Sequence, residues 1–353
     1  MIRVLIVEDS PSVRELLSYI ISADPELKIV GTAENGEEAV EAVTRLKPDI
    51  VTMDIHMPKM DGFEATRRIM ETQPTPIVVV SGSTSVKDIS NALRTVEAGA
   101  LSIIPRPYGL GHPQHASSAK ELVQMIKLMA GVKVVKHWPK RQIKTKPLPL
   151  PVVISVKTTT GIQVVAMGGS TGATIVFQTI LRGLPGDFPV PVLIVQHMAT
   201  GFIKGFSEWL TDTTAFPTSV AIHGEYLCPG HAYVAPEGFH MGIDNNRRIV
   251  YGTGDSENGS LPSVSYLFRS VSQCFGNQAI GVLLSGMGQD GARELKMMRD
   301  RGALTIAQDK ESSVVFGMPG VAVELDAAEL VLPPEQIAPI LVSVVRRVVA
   351  GKQ

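Results

Sequence analysis

Two sets of residues in this chain have the types and spacing that chemistry needs. In VVAMGGSTGAT, Val164 to Thr174, the residues Gly168, Ser170 and Gly172 satisfy G-x-S-x-G. Three readings fit the stretch: a tight packing turn, a phosphate-cradling loop, or a platform presenting a nucleophilic serine. Glycines at these positions permit a sharp strand-to-helix turn that pushes the hydroxyl out above a sheet edge. The N-terminus of the following helix supplies unpaired N–H groups and a positive dipole end, which suit a phosphate and an oxyanion equally well. A nucleotide-binding P-loop would place a lysine after the glycines, and none follows GGSTGAT. A serine hydrolase also needs a base and an acid that orients it. His197 ends the strand-like run VLIVQH, and Asp290 lies in the glycine-rich loop of IGVLLSGMGQDGA, so all three candidates fall just past strand ends. Taken singly, a capping Ser170, a buried His197 and a capping Asp290 are ordinary structural residues; their joint placement is what points to a site. Their order, Ser-His-Asp, is no objection, because triads are defined by geometry.

The second set is acidic. Glu8 and Asp9 follow the first strand-like run and Asp54 follows the third, in VED and MDIHMPKMDG. Parallel neighbours would bring these carboxylates together, where they raise one another's pKa. A hard divalent cation such as Mg2+ relieves that conflict, takes oxygen ligands and neutralises an incoming phosphoryl group. In-line attack by Asp54 would then give an aspartyl phosphate. Ser81, at the end of the fourth run, offers a hydroxyl to a phosphoryl oxygen.

The elements that must position these groups are legible. Over 1–130, RVLIVED, KIVGTA, DIVTMD, PIVVVSG and ALSIIP alternate with helical patterns, which predicts an α/β, flavodoxin-like doubly wound parallel sheet with its site at the carboxyl ends of the strands. Residues 131–160 contain no acid, seven Lys or Arg and four prolines, and read as an extended basic linker. Over 161–350, IQVVAM, VPVLIVQ, QAIGVLLS and ALTIAQ predict a second α/β parallel sheet, and HAYVAPEGFHMGIDNNRRIVYG a small β-hairpin insertion turning at DNNRR. Length and composition agree, since 353 residues at 44% hydrophobic suffice for two cores. A net charge of -1 argues against nucleic acid as a partner. Two cysteines without metal-type spacing suit a reducing cytoplasm, and acids at Glu8 and Asp9 argue against a signal peptide or membrane insertion.

Residues 1 to about 130 resemble the receiver domain of bacterial response regulators. The resemblance implies phosphorylation at Asp54, with Mg2+ held by Asp9, Asp54 and the backbone carbonyl of His56, and by Glu8 through water. It assigns supporting roles to Ser81 and to Arg106, which stands where the family has lysine. Ile103 occupies the usual aromatic switch position. The stretches AMGGSTGAT, VQHMATGF, YVAPEGFHM, LLSGMGQDGA and TIAQDKESSVVFGMPG resemble the chemotaxis protein-glutamate methylesterase family. That resemblance makes Ser170 the nucleophile, His197 the general base and Asp290 the orienting acid, with the Met287 amide as oxyanion donor and Thr171 lining the site.

The implied reaction is hydrolysis of glutamate methyl esters on chemoreceptor cytoplasmic domains, releasing methanol, with deamidation of receptor glutamines as a second activity of many members. No cofactor serves the esterase reaction; Mg2+ serves the receiver, and a histidine kinase is the phosphodonor. The expected regulation is relief, on phosphorylation, of a receiver that covers the Ser170 pocket, with a coupling of about 1–3 kcal/mol. The chain departs from the family at Gly169 and Ala173, and at Ser260, Leu261 and Ser265, where many members have basic residues and an acid. His223, His231 and His240 fit no metal spacing, and His240 reads as a hydrogen-bonding residue near the site. Two other readings compete: a small-molecule esterase or amidase under receiver control, and a phosphorylation-dependent binding protein without hydrolase activity.

Overall fold

Runs of β-branched residues buried on both faces build the two sheets of this protein. The computed structural model describes residues 1–82, 85–134 and 161–350, and the chain divides into two units, Met1–Lys146 and Pro147–Gln353. Apart from its first four residues, the segment read as a basic linker lies outside the described residues.

The first unit has five strands: β1 (Ile2–Val7), β2 (Leu27–Ala33), β3 (Ile50–Met53), β4 (Ile77–Ser81) and β5 (Ser102–Pro105). They pair in parallel in the order β2-β1-β3-β4-β5, which reverses direction at β1 and β3, the crevice where open α/β sheets bind ligands. Val4 to Val7 and Ile77 to Val80 are almost fully buried, each contributing roughly 1.5–3 kcal/mol by leaving water. The helices α1 (Pro11–Ser22), α2 (Gly36–Leu46), α3 (Gly62–Thr72), α4 (Val86–Glu97) and α5 (His115–Ala130) follow the strands in turn. Their starts obey capping chemistry: Asn35 accepts from the Glu38 N–H at 3.1 Å and Asp61 from the Glu64 N–H at 2.8 Å.

The second unit carries seven parallel strands in the order β14-β13-β12-β6-β7-β9-β8. These are β6 (Val164–Gly169), β7 (Val192–Gln196), β8 (Thr218–Val220), β9 (Ala232–Val234), β12 (Ala279–Leu283), β13 (Leu304–Gln308) and β14 (Leu330–Leu332). A separate antiparallel hairpin joins β10 (His240–Ile243) to β11 (Ile249–Gly252), turning through Asp244–Arg248. The helices α8 (Val264–Phe275) and α9 (Ala292–Asp300) pack on one face together with this hairpin, and α6 (Thr174–Gly183), α7 (Ile203–Thr214) and α11 (Pro334–Ala350) pack together elsewhere.

One expectation needs correction. The segment HAYV does not belong to the hairpin: Ala232–Val234 runs parallel to β7 and β8 inside the main sheet. All three of its residues are buried, as an interior strand of a parallel sheet requires. The three-residue strands β8 and β14 close the two edges, and short edges limit pairing with other chains. No helix among the described residues is long and apolar enough to cross a membrane.

Candidate active site

Sheet register places the serine and the histidine. Strands β6 and β7 pair with Gly169 opposite Gln196, and the His197 N–H donates to the Gly169 carbonyl at 3.0 Å. Ser170 and His197 are therefore the first residues beyond two adjacent strands. Gln196 ties them further, its Nε2 donating to the Ser170 carbonyl at 3.0 Å and the His197 carbonyl at 2.7 Å. Strand β12 lies on the other side of β6, with Leu283 opposite Gly168, and the loop beyond it carries Asp290. Three neighbouring strands thus deliver the three sequence candidates to one rim.

The turn after β6 depends on its glycines. Gly172 has φ +83, and a Cβ there would lie 2.4 Å from the Val314 Cβ and 2.8 Å from the Ser285 Oγ. Gly168 and Gly291 both face Val264, whose Cγ1 would be 2.2 and 2.4 Å from an added Cβ, so the start of α8 can press against the sheet end. That close approach lets Asp290 reach the amides of α8.

Asp290 is 2% exposed and accepts five hydrogen bonds. Its Oδ2 takes His197 Nε2 at 2.9 Å and the Val264 N–H at 2.7 Å. Its Oδ1 takes Ser263 Oγ at 2.8 Å, and Asn258 Nδ2 and the Ser265 N–H at 3.1 Å each. Burial alone would raise its pKa, but the bond and charge of His197, with Ser265 and Ser263, hold the carboxyl well below the ordinary range. An ionised acceptor on Nε2 leaves Nδ1 as the basic nitrogen of His197.

Around Nδ1 the geometry is open. Ser260 Oγ lies 3.4 Å from it, and no hydrogen bond joins Ser170 Oγ to His197 among the described residues. Catalytic hydrogen bonds tighten when substrate is bound. Gly286 packs on Ser170, where an added Cβ would stand 2.7 Å from the Ser170 Cβ. The next amide, that of Met287, takes no acceptor among the described residues, while the Met287 side chain is exposed. The Ser170 N–H is committed to the Ser285 carbonyl at 2.9 Å, so it is not an oxyanion donor. Thr171, half-buried, holds the turn through its carbonyl, which accepts from Ser285 Oγ at 2.7 Å.

Sequence reasoning missed Asn258, Ser263 and Glu237. The signals were present: Asn258-Gly259 has positive φ at both positions, a two-residue hairpin turn favoured by Asn-Gly, and Ser263 caps α8. Glu237 accepts from the N–H groups of Gly201 and Ile203, fastening the loop after His197.

In the first unit the acids do converge. Glu8, Asp9 and Asp54 bring one oxygen each within 4.8 Å of one another. Burial and the nearby Asp54 push Glu8 up to about 7, and burial raises Asp54 as well. Three carboxylates met by the single guanidinium of Arg106 leave an excess of negative charge that a divalent cation would neutralise, so the residues fit one. The side chain of His56 points away from such a role, its Nε2 lying 3.1 Å from Asp88 Oδ1. Ser81 is buried at the end of β4, and its carbonyl accepts from the Arg106 N–H at 2.8 Å. Ile103 is half-buried.

Arg106 reaches Glu8 Oε2 at 3.3 Å and Asp54 Oδ1 at 3.7 Å through Nη2. Its head lies over Gly82, where a Cβ would be 2.8 Å from the Arg106 Cζ. A Gly82→Ala change would therefore swing the flexible guanidinium away, moving it off both acids with little strain on the fold. The expected result is Asp54 phosphorylation by acetyl phosphate slowed about tenfold, a loss of about 1.4 kcal/mol of transition-state stabilisation. The added change Arg106→Lys, with its thinner head, should restore most of the rate; a phosphate-affinity gel time course reads both.

A family model described as CheB methylesterase matches residues 165–341, and one described as response regulator receiver domain matches residues 4–116. The chain belongs to the CheB methylesterase family. A Geobacter metallireducens relative named protein-glutamate methylesterase/protein-glutamine glutaminase 4 is 56% identical over 97% of this chain and 99% of its own length. A relative of the same description from Syntrophus aciditrophicus is 52% identical over 97% and 98%. The crystal structure of the Thermotoga maritima CheB methylesterase catalytic domain covers 52% of this chain and 99% of its own, with 34% identity and a TM-score of 0.51.

Proposed function

We propose that this chain is a phosphorylation-regulated serine hydrolase of chemotaxis adaptation, removing methyl esters from receptor glutamates and deamidating receptor glutamines. The observation that supports it best is the 2.9 Å bond from His197 Nε2 to Asp290, one residue beyond the strand paired with that of Ser170. In this reading Ser170 Oγ attacks the ester carbonyl while its proton passes to His197 Nδ1. The oxyanion is met by the Met287 N–H, with Thr171 lining the site; a donor of this kind contributes about a hundred- to thousandfold in rate. Collapse breaks the carbon–methoxy bond, and Nδ1–H returns the proton to give methanol. Water, deprotonated by Nδ1, then hydrolyses the acyl-serine to glutamate and free enzyme. A glutamine substrate follows the same path with ammonia leaving.

In the receiver, Asp54 takes the phosphoryl group, and Glu8, Asp9, Asp54 and the His56 carbonyl would hold Mg2+, which supplies charge neutralisation when bound. Arg106 and Ser81 face the incoming phosphoryl oxygens. The phosphodonor is a histidine kinase and the substrates are methylated chemoreceptor cytoplasmic domains in the cytoplasm. The domain limits proposed are 1–130 for the receiver, 131–160 for the linker and 161–350 for the catalytic domain.

The test is methanol released from methylated receptor fragments with and without acetyl phosphate. Wild type should be stimulated about five- to 150-fold, the range of ordinary coupling energies, and Asp54→Asn not at all. Rapid turnover of small esters with none on receptors would refute the receptor assignment.

A further inference from the structure

Resting on the triad reading above, we propose that His240 is a positioning residue that pins residues 255–263 as a strap across the catalytic groups. His240 is 3% exposed and stacks on Tyr266, ring centroids 4.9 Å apart and planes 11° from parallel. Both ring nitrogens are used. Nδ1 accepts from the Ser263 N–H at 3.1 Å, which leaves the proton on Nε2, and Nε2–H donates to the Asp255 carbonyl at 3.2 Å. One imidazole therefore clamps both ends of a nine-residue segment.

Between those ends the strap delivers its side chains to the triad. Its tip is closed by paired backbone bonds between Glu257 and Ser260 across the Asn258-Gly259 turn. Asn258 donates to Asp290 Oδ1, Ser260 faces His197 Nδ1, and Ser263 both takes the His240 bond through its N–H and donates to Asp290 through Oγ. The chain of contact runs from His240 through the Ser263 backbone to the carboxylate that orients His197. His240 itself has no bond to Ser170, His197 or Asp290, so it acts through the strap. The Ser263 end matters more than the Asp255 end, because it alone continues directly to Asp290.

Three variants of the full chain separate the two ends. His240→Phe keeps the stack and removes both bonds; His240→Asn keeps an acceptor at the Nδ1 position; His240→Gln keeps a donor near the Nε2 position. Methanol release from methylated receptor fragments and the rate of labelling by a fluorophosphonate are measured beside Ser170→Ala. The expected result for His240→Phe is kcat lower by about ten- to a hundredfold, the cost of slight misplacement of catalytic groups, with KM changed less than about threefold. Labelling should slow in parallel, and His240→Asn should recover most of both rates while His240→Gln does not. Wild-type kcat in the Phe variant, a rise in KM alone, or equal rescue by Asn and Gln would overturn the proposal. If His240→Phe does not fold, the Asn and Gln variants decide it alone. Undiminished turnover by Ser170→Ala would instead remove the proposed function, and this inference with it.

Discussion

Replacing Ser170 by alanine is expected to lower methanol release by about ten-thousandfold or more while leaving the fold intact. Loss of the nucleophile in a serine hydrolase costs as much as loss of the whole triad, because the three groups act as a unit. The alanine introduces no strain: the Ser170 backbone bonds to Ser285, Ala173 and Gln196 do not involve Oγ. Receptor binding should survive, so the loss falls on kcat. The control is Ser260, the hydroxyl that lies 3.4 Å from His197 Nδ1. If Ser170 is the attacking group, fluorophosphonate labelling disappears in Ser170→Ala and persists in Ser260→Ala. The opposite pattern would move the nucleophile to the strap.

Asp290→Asn should cost nearly as much, about ten-thousandfold in kcat, and should also destabilise the catalytic domain. The carboxylate accepts from donors on both oxygens, and an amide has only one acceptor to give them. If its NH2 takes the Oδ2 position, it opposes the Val264 N–H and His197 must turn to the tautomer protonated on Nδ1, which cannot act as base. If the NH2 takes the Oδ1 position, it opposes Asn258 and the Ser265 N–H at the start of α8. The pH dependence has a fixed sign. The folded Asp290 carboxyl titrates below its unfolded value of about 4, so its stabilisation is complete above about pH 4 and is lost as pH falls further. Between pH 7 and pH 3 the melting temperature of wild type should therefore fall more than that of Asp290→Asn; equal falls would show that the titration of this carboxylate is not linked to folding.

Much of this was readable from the residues. Strand ends after VED, TMD, VVAMGG and VLIVQ marked the candidate residues that the sheets bring together, because parallel sheets put such groups at one edge and each strand is a plain hydrophobic run. Asp290 was legible as a strand-end acid that orients His197, but its other partners were not. Asn258 and Ser263 come from the strap, whose contacts with Asp290 span 32 and 27 residues and leave no local periodicity. HAYV was misassigned for a related reason: a three-residue buried strand has too little pattern to announce which sheet it enters. The Gly82–Arg106 contact was invisible because it depends on where a long side chain lies, 24 residues away in sequence, and not on a motif.

The paired register of β6 and β7 has a mechanical consequence. The spacing between hydroxyl and imidazole is set by a backbone ladder in the middle of a seven-stranded sheet, so it is as stiff as the core itself. Heating would not loosen the reacting pair ahead of the rest. Inactivation and melting of this domain should coincide.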